Sequence, residues 1–290
     1  MVDRVSMSRC FPTREENPEA VATAERDMSE WFLAQSGAPG IEVHSDSDAT
    51  WIVHQGAVWA NCVVNVRFDQ RTAHARLDHI LRRYRATKRG VGFWISPLAT
   101  PAELPRLLRD RGLRCRKHFP VMFSDFSASP PTAAAPKEIT FSVIDDHSIF
   151  DMHSHPYFGA IRTALRRFEL GRLIYLSRKR PRRVWELVAW RDGIPVSACT
   201  LFRHGSIVGF HDVGTLLSFR RRGIATALMH QACCFAREQG CTAAVLLASG
   251  VGYGMYQRAG FRDVGSIGYW YRTFRPDKTM KRSRSGVRPA

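Results

Sequence analysis

The first half of the chain alternates short apolar runs with segments of helical spacing. Runs rich in β-branched and aromatic residues predict strands at ATWIVH, AVWANCVVNVRF, VGFWISP and CRKHFPVMFSDF. A helix is predicted to begin with Asn17 as its cap and Pro18 at its first position, and to stop at Gly37. This half therefore combines strands with helices.

Two further helices are predicted between these strands. The segment RTAHARLDHILRRYRATKRG places Ala75, Ile80, Leu81 and Tyr84 near helical spacing. The segment TPAELPRLLRDRG predicts a helix that begins at its Thr-Pro pair and closes at its last glycine. The order of elements is that of a sheet flanked by helices.

The second half repeats this alternation in a different order. EITFSVI predicts a strand, and HSIFDMHS with YFGAIRTALRRFELG predicts a pair of helices. Three strands follow, joined by turns at Asp192–Gly193 and His204–Gly205, and turns this short predict an antiparallel meander. A long helix ending at Gly240, the strand TAAVLLAS, the short helix MYQRAG and the closing strands FRDVGSIGYWYRTF complete the series.

A proline- and alanine-rich segment, SASPPTAAAPKE, separates the two halves and is typical of a semi-rigid linker. We expect an α/β (α+β) fold of two units, each with a mixed, mostly antiparallel sheet flanked by helices. The expected domain boundaries are a flexible amino terminus (1–17), a first unit (18–128), a linker (129–137), a second unit (138–275) and a basic tail (276–290).

Composition indicates a soluble protein with real cores. The 290 residues are 44% hydrophobic, and no stretch approaches the roughly 18 apolar residues that a membrane-spanning helix needs. The first residues lack the apolar core of a secretory signal, so we expect a cytoplasmic protein without membrane contact. Seven cysteines without CxxC spacing predict reduced thiols.

The formal net charge of +17 is unusually high. Such a charge attracts polyanions, whether nucleic acid, anionic lipid or a phosphorylated small molecule. The cations are spread over several places, including RKRPRR, LRRYRATKR and the tail KRSRSGVRPA. The positive net charge alone therefore does not indicate which of these partners the protein binds.

The long helix of the second half starts with an unfavourable charge. In RRRGIATALM, three arginines stand where the helix dipole is positive, and each costs about 0.3–1 kcal/mol there. An anion between them and the helix removes the penalty. Gly223 and Ala225 are small, so a phosphate can approach the free backbone N–H groups closely. The pattern predicts a pyrophosphate site.

This stretch resembles the coenzyme-A loop of the GNAT superfamily of N-acyltransferases, whose motif is Q/R-x-x-G-x-G/A. Phosphate loops of the GxxxxGK and GxGxxG types are absent. The resemblance spans residues 138–274. It includes VGT seven residues before the first arginine, Ile224, Leu228 and Phe235 on the inner helix face, TAAVLLAS, and MYQRAGF, which matches the family's Y-x-x-x-G-F.

The resemblance implies acetyl-CoA as cosubstrate, with amides of residues 221–226 on its pyrophosphate and backbone groups near Val213 along its pantetheine arm. The strands splayed at Val213 and Leu247 would admit the thioester, and Tyr256 would protonate the departing thiolate. The implied cosubstrate-binding residues are Val213, Gly214, Thr215, Arg220, Arg221, Arg222, Gly223, Ile224, Ala225, Thr226, Ser249 and Tyr256.

Direct attack by an amine requires a group that takes a proton. His211 and Asp212 precede the loop on a strand, where alternation lets at most one of them reach the cleft. Asp212, in phase with Phe210 and Gly214, is the expected base, and His211 is an expected substrate contact. For each of these two residues, the alternative is a purely structural role in the strand, with the side chain held by hydrogen bonds.

HSHPY offers His155 and Tyr157 as further acceptor contacts, because this segment commonly shapes the acceptor pocket in the family. Two histidines without a third ligand do not predict a metal site. In the first unit, TKRGVG lacks the arginine at the required position and runs from helix into strand, so no cofactor site is expected there. That unit resembles the degenerate amino-terminal half of tandem GNAT proteins, and would wall one side of the acceptor cleft.

These observations favour an acetyl-CoA-dependent N-acetyltransferase that acts on a primary amine, expected to be small because nothing signals a peptide groove. One alternative is a GNAT-fold protein that binds nucleic acid through RKRPRR and the arginine-rich tail, with Trp and Tyr stacking on bases. Another is an acyl-CoA sensor without turnover. A measurement of acyl transfer to an amine would distinguish the enzyme from both of these alternatives.

Overall fold

The structure is a computed structural model that describes residues 17–54, 61–87, 90–126, 136–144, 156 and 163–274. Apart from Asn17, the predicted flexible amino terminus lies outside these residues, as do most of the linker and the basic tail. The helices are α1 Pro18–Ala34, α2 Ala73–Ala86, α3 Leu104–Asp110, α4 Thr163–Arg178, α5 Ile224–Glu238 and α6 Tyr253–Arg258.

The strands of the first half are β1 Ile41–Ser45, β2 Thr50–His54, β3 Cys62–Val64, β4 Val91–Ile95 and β5 Arg114–Asp125. Those of the second half are β6 Thr140–Ile144, β7 Val184–Arg191, β8 Ile194–His204, β9 Ile207–Thr215, β10 Ala243–Leu247 and β11 Arg262–Arg272. The mixed α/β class and the antiparallel meander of β7, β8 and β9 are confirmed.

The described strands of both halves form one 11-stranded sheet, in the order β1-β2-β3-β4-β11-β5-β10-β9-β8-β7-β6. We expected a sheet for each unit. Instead the halves exchange their last strands, since β11 pairs with β4 of the first half and β5 pairs with β10 of the second. Within the described residues only β3–β4 and β9–β10 are parallel pairs, one in each half. The described strands of the two halves are therefore interleaved at the centre of one sheet.

Helices cover both faces of the sheet. On one face, α2 and α3 pack in the first half around Leu77 and Leu107, and α5 packs in the second half around Leu228. On the other face, α1 crosses the centre of the sheet and meets α4 through Trp31. Because α1 contacts strands of both halves, it links the first half to the site described below.

Local signals place most elements correctly. Asn17 Oδ1 accepts a hydrogen bond from the N–H of Ala20 at 3.0 Å, which confirms the predicted cap of α1. Helix α3 begins at Leu104 rather than at Thr100, because Pro105 suits the first turn of a helix. Ala75 is exposed, and the buried face of α2 is formed by Ala73, Leu77, Ile80, Leu81 and Tyr84. Strand β1 was not predicted.

The strand exchange predicts that the two halves unfold together. Neither half keeps a complete sheet when the other opens, because β11 lies between β4 and β5. We expect tryptophan fluorescence and far-ultraviolet circular dichroism to report one coincident transition in denaturant. Two separated transitions would contradict this prediction and indicate independent halves.

Candidate active site

A cleft opens where β9 and β10 diverge. Their pairing in the described residues covers only residues 207–209 with 243–245. Beyond that point β9 stays paired with β8, with Thr215 opposite Ser197. Strand β10 stays paired with β5, with Leu247 opposite Val121. The facing edges of the two strands are thus free to accept another hydrogen-bonding chain between them.

The amino end of α5 closes one end of this cleft. Arg221 and Gly223 have φ angles of 59° and 79°, and Gly223 is the helix cap without a side-chain hydrogen bond. Among the described residues, no acceptor contacts the backbone N–H groups of residues 221–226. A turn followed by the first helical N–H groups makes an anion-binding concavity.

A groove of about 750 Å³ lies over these N–H groups. It is lined by Val213, Gly214, Thr215, Arg220, Arg221, Gly223, Ile224, Ala225, Thr226, Ser249 and Tyr256. All of these were predicted. Arg222 is the exception, because its guanidinium lies over the ring of Phe219, 5.5 Å from the centroid, and does not line the groove. Arg258 lines it and was not predicted.

The guanidinium of Arg220 is anchored beside the groove. Its Nε donates a hydrogen bond to the carbonyl of Thr215 at 3.0 Å, which ties the loop to the end of β9. Arg220 and Arg221 are exposed at the groove wall. The positive charges therefore lie beside the free N–H groups, where an anionic ligand is stabilised by both.

A second cavity, of about 340 Å³, lies on the α1 side of the cleft. The groove and this cavity share Val213, Ser249 and Tyr256 as lining residues. The first half of the chain contributes much of the remaining wall, including Met28, Trp31, Phe32, Ile52, Trp94 and Phe119. Residues of the first half therefore form much of one wall of this cavity.

Tyr256 lies at the junction of the two spaces. It is buried on α6, and its ring packs edge-on against Phe261 with centroids 6.0 Å apart. Ser249 precedes α6, and its Oγ accepts a hydrogen bond from the N–H of Gly252 at 3.2 Å. A phenolic hydroxyl at this position can donate a proton to an atom that leaves between the groove and the cavity.

Both His211 and Asp212 reach the cavity, so the expectation that at most one would do so is wrong. A β-bulge in β9 sets Asp212 and Val213 opposite Cys199, and Asp212 adopts a positive φ of 50°. The bulge breaks the side-chain alternation. Asp212 consequently is not in phase with Phe210, which also touches the cavity but packs its ring against Phe261 in the core beneath α5.

The carboxylate of Asp212 is paired with a cation. Arg172 on α4 donates from Nη2 to Asp212 Oδ2 at 3.3 Å, and its guanidinium lies 4.9 Å from the ring centroid of Trp31. Both side chains are largely buried. Asp212 and Arg172 thus form a neutral pair at the cavity wall.

His211 contacts a carboxylate from the first half. Its Nε2 lies 3.1 Å from Asp27 Oδ2 on α1, and its ring stacks on Trp31 with centroids 4.6 Å apart. His204 Nε2 lies 3.2 Å from the other oxygen of Asp27. Burial raises the pKa of Asp27, but the charge of His211 and hydrogen bonds from both histidines lower it more, so the net pKa lies below its usual value. Asp27 is therefore a buried, ionised carboxylate.

Asp27, Trp31 and Arg172 were not predicted as site residues. One signal was present, because Asp27 interrupts the apolar face that α1 forms with Ala24 and Trp31. The expected acceptor contacts His155 and Tyr157 lie outside the described residues, and of that segment only Pro156 is described, at the wall of the groove.

The basic run RKRPRR is partly engaged within the protein. Lys179 Nζ donates to the carbonyl of Ala34 at 2.7 Å, and Arg183 Nη2 pairs with Glu30 at 2.8 Å. Both contacts tie this run to α1. Such contacts give the run a structural role.

Two further features concern metals and membranes. Among the described residues, no group of three or more His, Cys, Asp or Glu side chains is arranged to hold a metal ion. In the same part of the chain, no helix combines the length and apolar character needed to cross a bilayer.

Comparison with known families identifies the domain that holds the groove. Residues 181–263 match the model of the acetyltransferase (GNAT) domain. This segment of the second half is similar to GNAT acetyltransferase domains. The matched segment includes the bulged strand β9, the amino end of α5 and Tyr256, whereas Asp27, Trp31 and Arg172 lie outside it. No curated protein matches this chain.

Solved structures extend the likeness over both halves. A GCN5-related N-acetyltransferase from Kribbella flavida is 19% identical with a TM-score of 0.64, over 87% of this chain and 97% of that chain. One from Sphaerobacter thermophilus is 17% identical with a TM-score of 0.59, over 91% and 95%. A tandem GNAT protein from the clavulanic acid biosynthesis pathway is 13% identical with a TM-score of 0.56, over 92% and 99%. At these identities the likeness shows the GNAT fold.

Proposed function

We propose that the protein is an acetyl-CoA-dependent N-acetyltransferase that transfers an acetyl group to a small primary amine. The observation that carries this proposal is the junction at Tyr256, where a groove with free backbone N–H groups meets a separate cavity between diverging strands. A two-substrate transfer needs such a meeting point, because the reacting atoms come from opposite sides.

The groove suits the diphosphate of coenzyme A. Gly223 leaves open space above the helix, since a β-carbon there would meet only Pro136 Cγ at 4.0 Å. The free N–H groups of residues 221–226 and the guanidinium groups of Arg220, Arg221 and Arg258 offer donors and positive charge. When bound, acetyl-CoA supplies an activated acetyl thioester.

The cavity suits an acceptor with an apolar body. Its described walls are mainly aromatic and aliphatic, and its charges are already paired, Asp27 with two histidines and Asp212 with Arg172. A second charge on the acceptor would find no free partner among the described lining residues. A compact monoamine therefore fits better than a polyamine or a peptide.

We assign Tyr256 as the acid that protonates the departing sulfur. Asp212, the base expected from the sequence, is paired with Arg172 at the cavity wall, and we assign it to holding that guanidinium in place. His155 and Tyr157 remain proposed acceptor contacts. The first half, on this proposal, binds no cosubstrate of its own.

Binding of acetyl-CoA is expected to stabilise the protein. A ligand that binds only the folded state at a hundredfold excess over its dissociation constant adds about 2.7 kcal/mol to the free energy of unfolding. Differential scanning calorimetry with acetyl-CoA measures this, and thiol release with a panel of amines measures transfer. Unchanged unfolding would overturn the proposal, and stabilisation without transfer to any amine would favour the acyl-CoA sensor.

A further inference from the structure

A buried carboxylate from the first half lies between two histidines from the GNAT domain. Asp27 is 5% exposed, and its two oxygens lie 3.2 Å from His204 Nε2 and 3.1 Å from His211 Nε2. Each imidazole nitrogen faces its own carboxylate oxygen at hydrogen-bonding distance. The carboxylate and the two imidazoles are therefore close enough to pair electrostatically, and we name the three side chains the Asp27 cluster.

The backbone is shaped to bring Asp27 this close. A β-carbon at position 209 would collide with the Asp27 carboxylate, so glycine is needed where α1 crosses β9. Burying an ionised carboxylate is costly unless it is paired and hydrogen-bonded. The two histidines are the pairing partners that lie within 3.2 Å of this carboxylate.

His211 has one nitrogen left for the cavity. Asp27 engages its Nε2, the stacked ring of Trp31 fixes the plane of the imidazole, and the side chain is 19% exposed at the cavity wall. A neutral imidazole whose Nε2 carries the proton presents Nδ1 as a proton acceptor. This is the arrangement in which a carboxylate sets the tautomer of a general base.

We propose that His211 is the general base that takes the proton of the acceptor amine, and that Asp27 and His204 position it. The inference rests on the proposed acetyl transfer. It gives the first half of the chain a defined part in the reaction, since Asp27 belongs to α1 while His211 belongs to β9.

The proton transfers balance in this scheme. His211 Nδ1 accepts a proton from the ammonium group, and the neutral nitrogen bonds to the acetyl carbon as the carbon–sulfur bond breaks. Tyr256 donates its proton to the sulfur and is restored by the second proton that leaves nitrogen as the amide forms. His211 returns its proton to solvent.

Other charged side chains on the elements packed around the cluster must be held constant in a test. They are Glu30 on α1, Arg172 on α4, Arg183 and Glu186 around β7, and Asp212 on β9. Strand β10 contributes no charged side chain. Replacing Asp27 alone leaves these groups in place, so a change in the pH profile reports the carboxylate itself.

The experiment measures kcat/KM against pH in H211Q and D27N. We expect H211Q to lose about 10²- to 10⁴-fold in kcat, the usual contribution of a positioned base, and to lose the acidic limb of the profile. We expect D27N to lose less activity than H211Q and to displace that limb, because it removes the carboxylate 3.1 Å from His211 Nε2. H204Q leaves that carboxylate in place and should displace the limb less than D27N does.

E25Q is the matched control for removal of a buried carboxylate from α1. Glu25 is also buried but pairs with Arg67 at 2.5 Å, away from the cavity. The E25Q variant should leave the acidic limb of the kcat/KM profile in place. Acetyl-CoA should still stabilise every variant, which shows that each one folds.

An acidic limb that stays in place in both H211Q and D27N, while the wild-type protein turns over amines, would overturn this inference and leave the acetyltransferase intact. A wild-type protein without turnover of any amine would overturn both.

Discussion

Replacing Gly223 with glutamate is expected to abolish the stabilisation by acetyl-CoA. The new carboxylate would project over the free N–H groups of α5 and occupy the place that we assign to a diphosphate. For the wild-type protein, a hundredfold excess of acetyl-CoA is expected to raise Tm by about 5 °C. In G223E the shift should be close to zero at the same concentration, and transfer activity should be lost.

Two controls separate charge from backbone strain. Gly223 has a φ of 79°, so any side chain there is strained, and G223N introduces a residue that tolerates this conformation without a charge. Gly205 has a φ of 59° in an open turn away from the groove, so G205E adds the same charge elsewhere. G205E should respond to acetyl-CoA as the wild type does. A G223E protein that still shows the wild-type shift would exclude the groove as the diphosphate site.

Replacing Tyr256 with phenylalanine is expected to lower kcat by about 10²- to 10⁴-fold, because it removes the proton donor at the junction of groove and cavity. The ring and its packing against Phe261 remain, so the stabilisation by acetyl-CoA should persist. Steady-state kinetics with the best amine of the panel, together with calorimetry, measure both quantities.

The matched control lies on the same helix. Tyr253 is buried, and its hydroxyl donates to Asp263 Oδ2 at 3.1 Å, outside both the groove and the cavity. Y253F removes an equivalent hydroxyl and should leave kcat within a few-fold of the wild type. If Y256F behaves like Y253F, Tyr256 is not the acid, and water must protonate the departing sulfur.

The groove was predictable from the sequence, because a short segment encodes it. The glycine cap of α5, the small residues after it and the arginines before it are neighbours in the chain, and their spacing alone places the free N–H groups. The fate of Arg222 was not predictable, since it depends on how the ring of Phe219 lies beside it.

The cavity was only partly predictable. Alternation along β9 assumes a regular strand, and the bulge opposite Cys199 turns both His211 and Asp212 to the same face. No local sequence pattern indicates this bulge, because it is defined by the register in which β9 pairs with β8. The partner of His211 was still less predictable, because Asp27 lies on a helix near the other end of the chain.

The sequence by itself determined the elements, most of their ends and the anion-binding turn, because caps, turn glycines and apolar periodicity act over a few residues through sterics and local hydrogen bonds. The tertiary structure decided the exchange of β5 and β11, the bulge in β9 and the meeting of Asp27 with His204 and His211. These features depend on which distant segments pair and pack, and that choice is made by the whole core when the chain folds.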